Sequence, residues 1–120
     1  MATGIQNSII IEIDVTADAT GTNGPTYIVP RTGEIINAWA VATATSGGGT
    51  MTIQRQALGA GSFNAASGAI TCAAANALSF AGSLITAQTS CASTDVLRIV
   101  ANGAADRGRV YIQFLAPVVP

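Results

Sequence analysis

Glu12 and Asp14 are the residues of this chain whose spacing comes nearest to chemistry. They stand at i and i+2 in IIIEIDVT, so on a strand both carboxylates project from one face, where mutual repulsion raises one pKa and prepares it for acid-base work. The competing reading is a solvated outer face. It is the expected one, because no other functional group in the chain is recruited to the pair. In the loop ADATGTNGP only Asp14 and Asp18 are at hand, too few for a calcium loop, which alternates carboxylates as DxDxDG. Cys72 and Cys91 belong to no CxxC pair and the chain contains no His, so no metal centre is expected. Two buried thiols are expected in preference to a disulfide. Trp39 is the only Trp; it offers a ring on which a sugar can stack, but its place on a sheet face makes core packing the expected role. The run Gly47 to Gly49 is followed by neither a Lys nor a capped helix, so it reads as a turn and not as a phosphate cradle. With neither Lys nor His, acid-base chemistry falls to six carboxylates and two tyrosines. The expectation is a protein without catalytic residues, cofactor or small-molecule substrate, and not an enzyme.

The elements that must hold these residues read as short strands separated by Gly, Ser, Thr and Asn. Two runs, DVLRIVA and RVYIQFL, flank the polar connection NGAADRG between Asp95 and Leu115, which reads as a β-hairpin. Leu97, Ile99 and Ala101 share one face of it, as do Val110, Ile112 and Phe114, so it carries a hydrophobic wall that other strands must cover. From Ile9 to Thr16, residues Ile9, Ile11, Ile13 and Val15 alternate with Ile10, Glu12, Asp14 and Thr16. A short strand, TYIVP, precedes a long one from Glu34 to Thr45. In that long strand Ile35, Asn37, Trp39 and Val41 share one face and Ile36, Ala38, Ala40 and Ala42 the other. The second face is small and apolar, which suits close packing against a second sheet or another subunit, and its four residues are the subunit-packing candidates. TMTIQRQ then turns Met51 and Ile53 inward, reading as a second hairpin across the Gly turn. From Ala57 to Ser93 the period is lost, and the stretch Ala73 to Phe80 is open between a short helix and strands. These patterns predict one domain, an all-β antiparallel sandwich of jelly-roll-like form, with a core including Ile11, Ile13, Trp39, Met51, Ile53, Leu97, Ile99, Val110, Ile112 and Phe114.

Composition limits the partners. Charged residues make up 9% of the 120 against a usual ~25%, the five basic ones are all Arg, and the net charge is -1. No basic field exists to hold nucleic acid. No apolar run approaches the ~18 residues of a membrane span, and MATGIQNS lacks the basic start of a signal peptide, so cytoplasmic synthesis is expected. A compact chain of this mass has roughly 6,000 Å² of surface, or on the order of 500 Å² per charge. Surfaces that sparse in charge suit contact with neighbouring subunits. Residues 1–8 are polar and without period, and they read as a flexible arm ahead of a domain spanning 9–120.

The order of a strand ending in a proline-bearing turn, GEIINAWAVAT, a Gly turn into TMTIQRQ, a small-residue middle and TDVLRIVANGAADRGRVYIQFLAP resembles the capsid decoration, or cement, proteins of tailed bacteriophages. The resemblance runs from about Ile9 to Pro117 and rests on alternation and turns, without a signature motif. It implies a β-sandwich, often a homotrimer, on the outer capsid surface of the virion, where it staples neighbouring major capsid protein subunits against internal pressure. No contact residue transfers from the family by number. The polar arm suits anchoring, which makes Ala2, Thr3, Gly4, Ile5, Gln6 and Asn7 the candidate capsid contacts. The alternative expectation is a phage fibre or knob, or a carbohydrate-binding module with Trp39, Tyr27 or Tyr111 in a glycan groove.

Overall fold

Wherever the sequence alternates with period two, the backbone is extended. The strands are β1 (Ile5–Val15), β2 (Thr26–Ile28), β3 (Gly33–Ala44), β4 (Gly49–Gln56), β5 (Asn64–Ala65), β6 (Ile70–Cys72), β7 (Leu78–Phe80), β8 (Ser90–Cys91), β9 (Val96–Ala101) and β10 (Arg107–Val118). One four-residue helix, α1 (Thr86–Thr89), precedes β8. The computed structural model describes residues 5–44, 49–72, 78–80, 83–103 and 106–118. The protein is an all-β sandwich of two antiparallel sheets. The first has the order β1-β10-β3-β7, with β8 also on β3, and the second has the order β2-β9-β4-β5, with β6 also on β4. This is the strand order of a jelly roll.

The topology corrects both expected hairpins. β9 pairs with β2 and β4, whereas β10 pairs with β1 and β3, so the connection between β9 and β10 passes from one sheet to the other. The link from β3 to β4 does the same. Alternation tells a strand which face to bury but not whether its neighbour in sequence lies beside it or opposite it. Across the gap the two apolar faces meet each other, and both arrangements satisfy the same pattern. The arch after β9 is fixed by side chains: Thr50 N–H donates to Asn102 Oδ1 (2.8 Å) and Asn102 N–H to Thr50 O (3.1 Å). The buried Asp106 carboxylate accepts from Gly103 N–H (3.2 Å) and lies against Gly49, where any Cβ would collide with it. Gly49 is therefore required by close approach.

A second correction concerns the start of the chain. β1 begins at Ile5, and its pairing with β10 runs unbroken from Ile5↔Val118 to Val15↔Gly108. Residues 5–8, expected in a flexible arm, are sheet, because β10 extends far enough to supply their main-chain partners. Residues 1–4 lie outside the described residues. The stretch left open at Ala73 to Phe80 ends in β7, paired to Trp39–Val41 of β3.

The core lies between the sheets. From the first come Ile11, Ile13, Val15, Ile35, Ala38, Ala40, Val110, Ile112 and Phe114; from the second come Met51, Ile53, Ile70, Leu97 and Ile99, all 5% exposed or less. Nine of the ten expected core residues are there, and Trp39 is not. Replacing Leu97 or Ile112, one from each sheet and each fully enclosed, with Ala is expected to cost ~2–5 kcal/mol of unfolding free energy. Guanidinium denaturation followed by circular dichroism measures it; a loss within error of zero for both would mean that the sheets do not meet at these residues.

Candidate assembly surface

The outer face of the first sheet is built in cross-strand rows. Ile10, Gln113 and Asn37 are register neighbours; next come Glu12, Tyr111 and Trp39, then Asp14, Arg109 and Val41, with Leu78 beyond Val41. Trp39 and Tyr111 stack, with ring centroids 5.8 Å apart and planes 15° apart. Each ring thus gives one face to the other, a cross-strand pair that steadies the sheet. Arg109 lies 3.5 Å from Glu12 and 3.4 Å from Asp14. The two carboxylates with catalytic spacing therefore share one exposed guanidinium on a solvated face, an arrangement worth little to stability. Asp18 closes its own turn by accepting from Thr20 N–H (2.9 Å) and Oγ1–H (2.6 Å). The hydroxyl and amide of Thr20 hold its carboxyl below the usual value.

Trp39 points outward because β3 carries a β-bulge. The register with β10 shifts between Gln113↔Asn37 and Phe114↔Ile35, leaving Ile36 without a partner. Ile35 and Ala38 are buried, whereas Ile36 is exposed and Asn37 half-buried. The extra residue reverses the alternation, so Ala38, Ala40 and Ala42 point into the core and Trp39 and Val41 away from it. Asn37 accommodates the bulge, its Oδ1 accepting from Ala38 N–H at 2.9 Å. Of the four subunit-packing candidates, Ala38, Ala40 and Ala42 are corrected to core residues packed toward the second sheet. Only Ile36, 40% exposed, is free for contact, joined on this face by Ile10 at 52% and Leu78 at 55%. The sequence signal for this was Asn37, a poor strand former inside an otherwise apolar strand.

The arm candidates divide between the two kinds of residue. Ala2, Thr3 and Gly4 lie outside the described residues, while Ile5, Gln6 and Asn7 are in β1, opposite Val118, Pro117 and Ala116. Among the described residues β1 has β10 on one side and no strand on the other. Its eleven residues contain no Pro, no Lys or Arg, and no register shift.

Sequence reasoning missed a buried ion pair at the other end of β9. Asp95, 2% exposed, accepts from Arg55 Nη1 (2.8 Å), Ala92 N–H (2.9 Å) and Leu58 N–H (3.1 Å). Arg55 Nη2 donates to Gln88 Oε1 (2.9 Å). Burial opposes ionisation of Asp95, but the amides of Ala92 and Leu58 and the guanidinium of Arg55 outweigh it and hold the carboxyl below 3.8. This clamp floors an open depression of about 440 Å³ that Cys91 and Thr32 also line. Cys91 and Cys72 are buried and unbonded. Burial pushes the Cys91 thiol up to about 11, Arg55 pulling it down and Asp95 adding to the rise. Burial, then the charge of Asp106, raises Cys72. No group of three or more His, Cys, Asp or Glu comes together to hold a metal ion among the described residues.

Fold and surface together define a jelly-roll sandwich with an outward aliphatic and aromatic sheet face and, among the described residues, an uncovered sheet edge at β1. Compared with known proteins, the chain matches no family model, no curated protein and no solved structure.

Two outcomes follow from the buried groups. Asp95→Asn is expected to destabilise by about 3 kcal/mol at neutral pH, since it leaves Arg55 without its counter-charge. Because the folded-state pKa is depressed, this contribution is present above about pH 4 and disappears as pH falls through the lowered value. The gap between wild type and variant in urea midpoint should therefore close in acid; a gap independent of pH would assign the loss to packing. In a thiol-reagent assay at neutral pH neither cysteine should react in the folded protein, and both should react in denaturant.

Proposed function

We propose that this protein is a structural component of a bacteriophage particle, decorating the outer capsid surface and bridging neighbouring major capsid protein subunits. The observation that carries the reading is the chemistry of its surface. Eleven charged residues serve 6020 Å² of surface, and several are turned on one another: Arg55 on Asp95, and Arg109 on Glu12 and Asp14. Arg98 is held by Gln54 (2.7 Å) and covered by the ring of Phe63 at 3.9 Å. What the first sheet turns outward instead is Ile10, Ile36 and Leu78 around a stacked aromatic pair. Such a face gains by burial against a fixed neighbour, and a rigid sandwich of large sheets holds two such neighbours at constant spacing. Attachment by apolar contact and main-chain hydrogen bonds makes binding only weakly dependent on salt.

The test is co-sedimentation with undecorated shells assembled from a tailed-bacteriophage major capsid protein. Wild-type protein should bind across a salt series with little loss, and Ile36→Asp or Leu78→Asp should weaken binding at least about tenfold by burying an unpaired charge. Binding that collapses with salt, or that neither substitution affects, rules this face out. Capture of soluble glycans on an array, abolished by Trp39→Ala, would transfer the assignment to a carbohydrate-binding module.

A further inference from the structure

We infer that β1 is a self-pairing edge, and that two copies of this protein join their first sheets by antiparallel pairing of β1 with β1 about a two-fold axis at Ile10. Edge strands of soluble proteins are kept from pairing by shortness, by Pro, by charged side chains, Lys above all, by bulges or by a covering segment. β1 is eleven residues long, carries neither Pro nor Lys, has Glu12 and Asp14 as its only charged residues, and pairs with β10 without a register shift. Among the described residues no strand covers its other side. Its outward main-chain donors and acceptors fit another extended strand, and full overlap of two such strands forms about ten hydrogen bonds.

The sequence of β1 selects a second copy as that strand. Full overlap of Ile5–Val15 with itself pairs positions that sum to twenty, so the axis falls on Ile10, which meets its own copy on the outer face. Among the residues of β1 whose side chains are described, Ile10 is the exposed large apolar one, at 52%. In this register Ser8 lies opposite the partner's Glu12, so that carboxylate faces an uncharged polar residue, and position 6 is the register partner of Asp14. Ser8 Oγ already accepts from Gln113 Nε2 at 3.0 Å, which leaves its O–H proton to donate to the partner's Glu12. The two Glu12 carboxylates stand four residues apart along the ladder, roughly 13 Å, beyond the Debye length of about 8 Å. A register centred on Ile13 instead sets Glu12 directly against the partner's Asp14, and like charges in that position are destabilising. On the inner face the overlap brings Ile9, only partly buried in the single chain, against the partner's Ile11 and completes its cover. The joined sheets place two outer faces side by side, with Ile10 at their seam.

The proposal uses the protein alone and stands or falls independently of the capsid assignment. Light scattering on the full chain through the micromolar range should give twice 12.0 kDa for wild type. Ile10→Lys, which sets two ammonium groups against each other on the axis, should give 12.0 kDa with an unchanged circular dichroism spectrum. Oxidised Ile10→Cys should form a covalent dimer. Ser8→Cys should do so only when mixed with Glu12→Cys, which reports the register even where the lysine variant fails to fold. The buried native thiols do not compete. A monomeric or trimeric wild type, a dimer that survives Ile10→Lys, or cysteine pairs that do not cross-link would overturn the self-pairing.

Discussion

Each long strand of this protein carries one continuous apolar face that water must not reach, and the need to cover that face governs the rest of the structure. β1, β3 and β10 cannot shield one another, because side by side they present a single continuous wall. The wall is closed by a second sheet whose own apolar residues, Met51, Ile53, Leu97 and Ile99, are likewise excluded from water. Because the chain crosses from sheet to sheet between its long strands, neither sheet can form without the other. Cooperativity is therefore a property of the jelly-roll order, and a cavity on either side of the core is felt by both sheets.

Two buried carboxylates bracket β9, the strand at the heart of the second sheet. Asp95 precedes it and gathers the amides of Ala92 and Leu58 with the Arg55 guanidinium; Asp106 follows it and accepts from Gly103 across the arch into β10. A buried carboxylate without such partners would cost several kcal/mol, so each one holds only if the surrounding backbone adopts the observed turn. They act as specificity devices for where β9 begins and where the chain leaves it. Elsewhere charge is scarce, and the polar work of the fold falls to main-chain amides, Asn37, Asn102 and Ser67, whose Oγ accepts from Ile53 N–H at 3.0 Å.

The surface repeats the same economy. With several charges turned on one another, the outer sheet face leaves Ile10, Ile36 and Leu78 exposed, and among the described residues no strand covers the β1 edge. Those two features lie on adjoining parts of one sheet, so an assembly built on the edge also extends the face. A decorating role and self-pairing along β1 are therefore compatible in geometry while resting on different residues.

By itself the sequence determined the strands outside Ala57 to Ser93 and the buried face of most of them: Ile11 and Ile13, Met51 and Ile53, Leu97 and Ile99, and Val110, Ile112 and Phe114 are inward where alternation puts them. It also carried the sparse charge and the turn glycines. The tertiary structure alone decided which strands are neighbours, because period-two patterning is silent on whether an adjacent strand lies beside or across. It decided the face of the Ala38, Ala40 and Ala42 row as well. A single bulged residue at Ile36 inverts every position after it, moving Trp39 to the surface and the alanines to the core, and only pairing with β10 shows that the bulge is there. That β1 is an edge among the described residues follows from the same fact, since a strand becomes an edge only through having a partner on one side alone, and pairing is a relation between strands that no strand encodes alone.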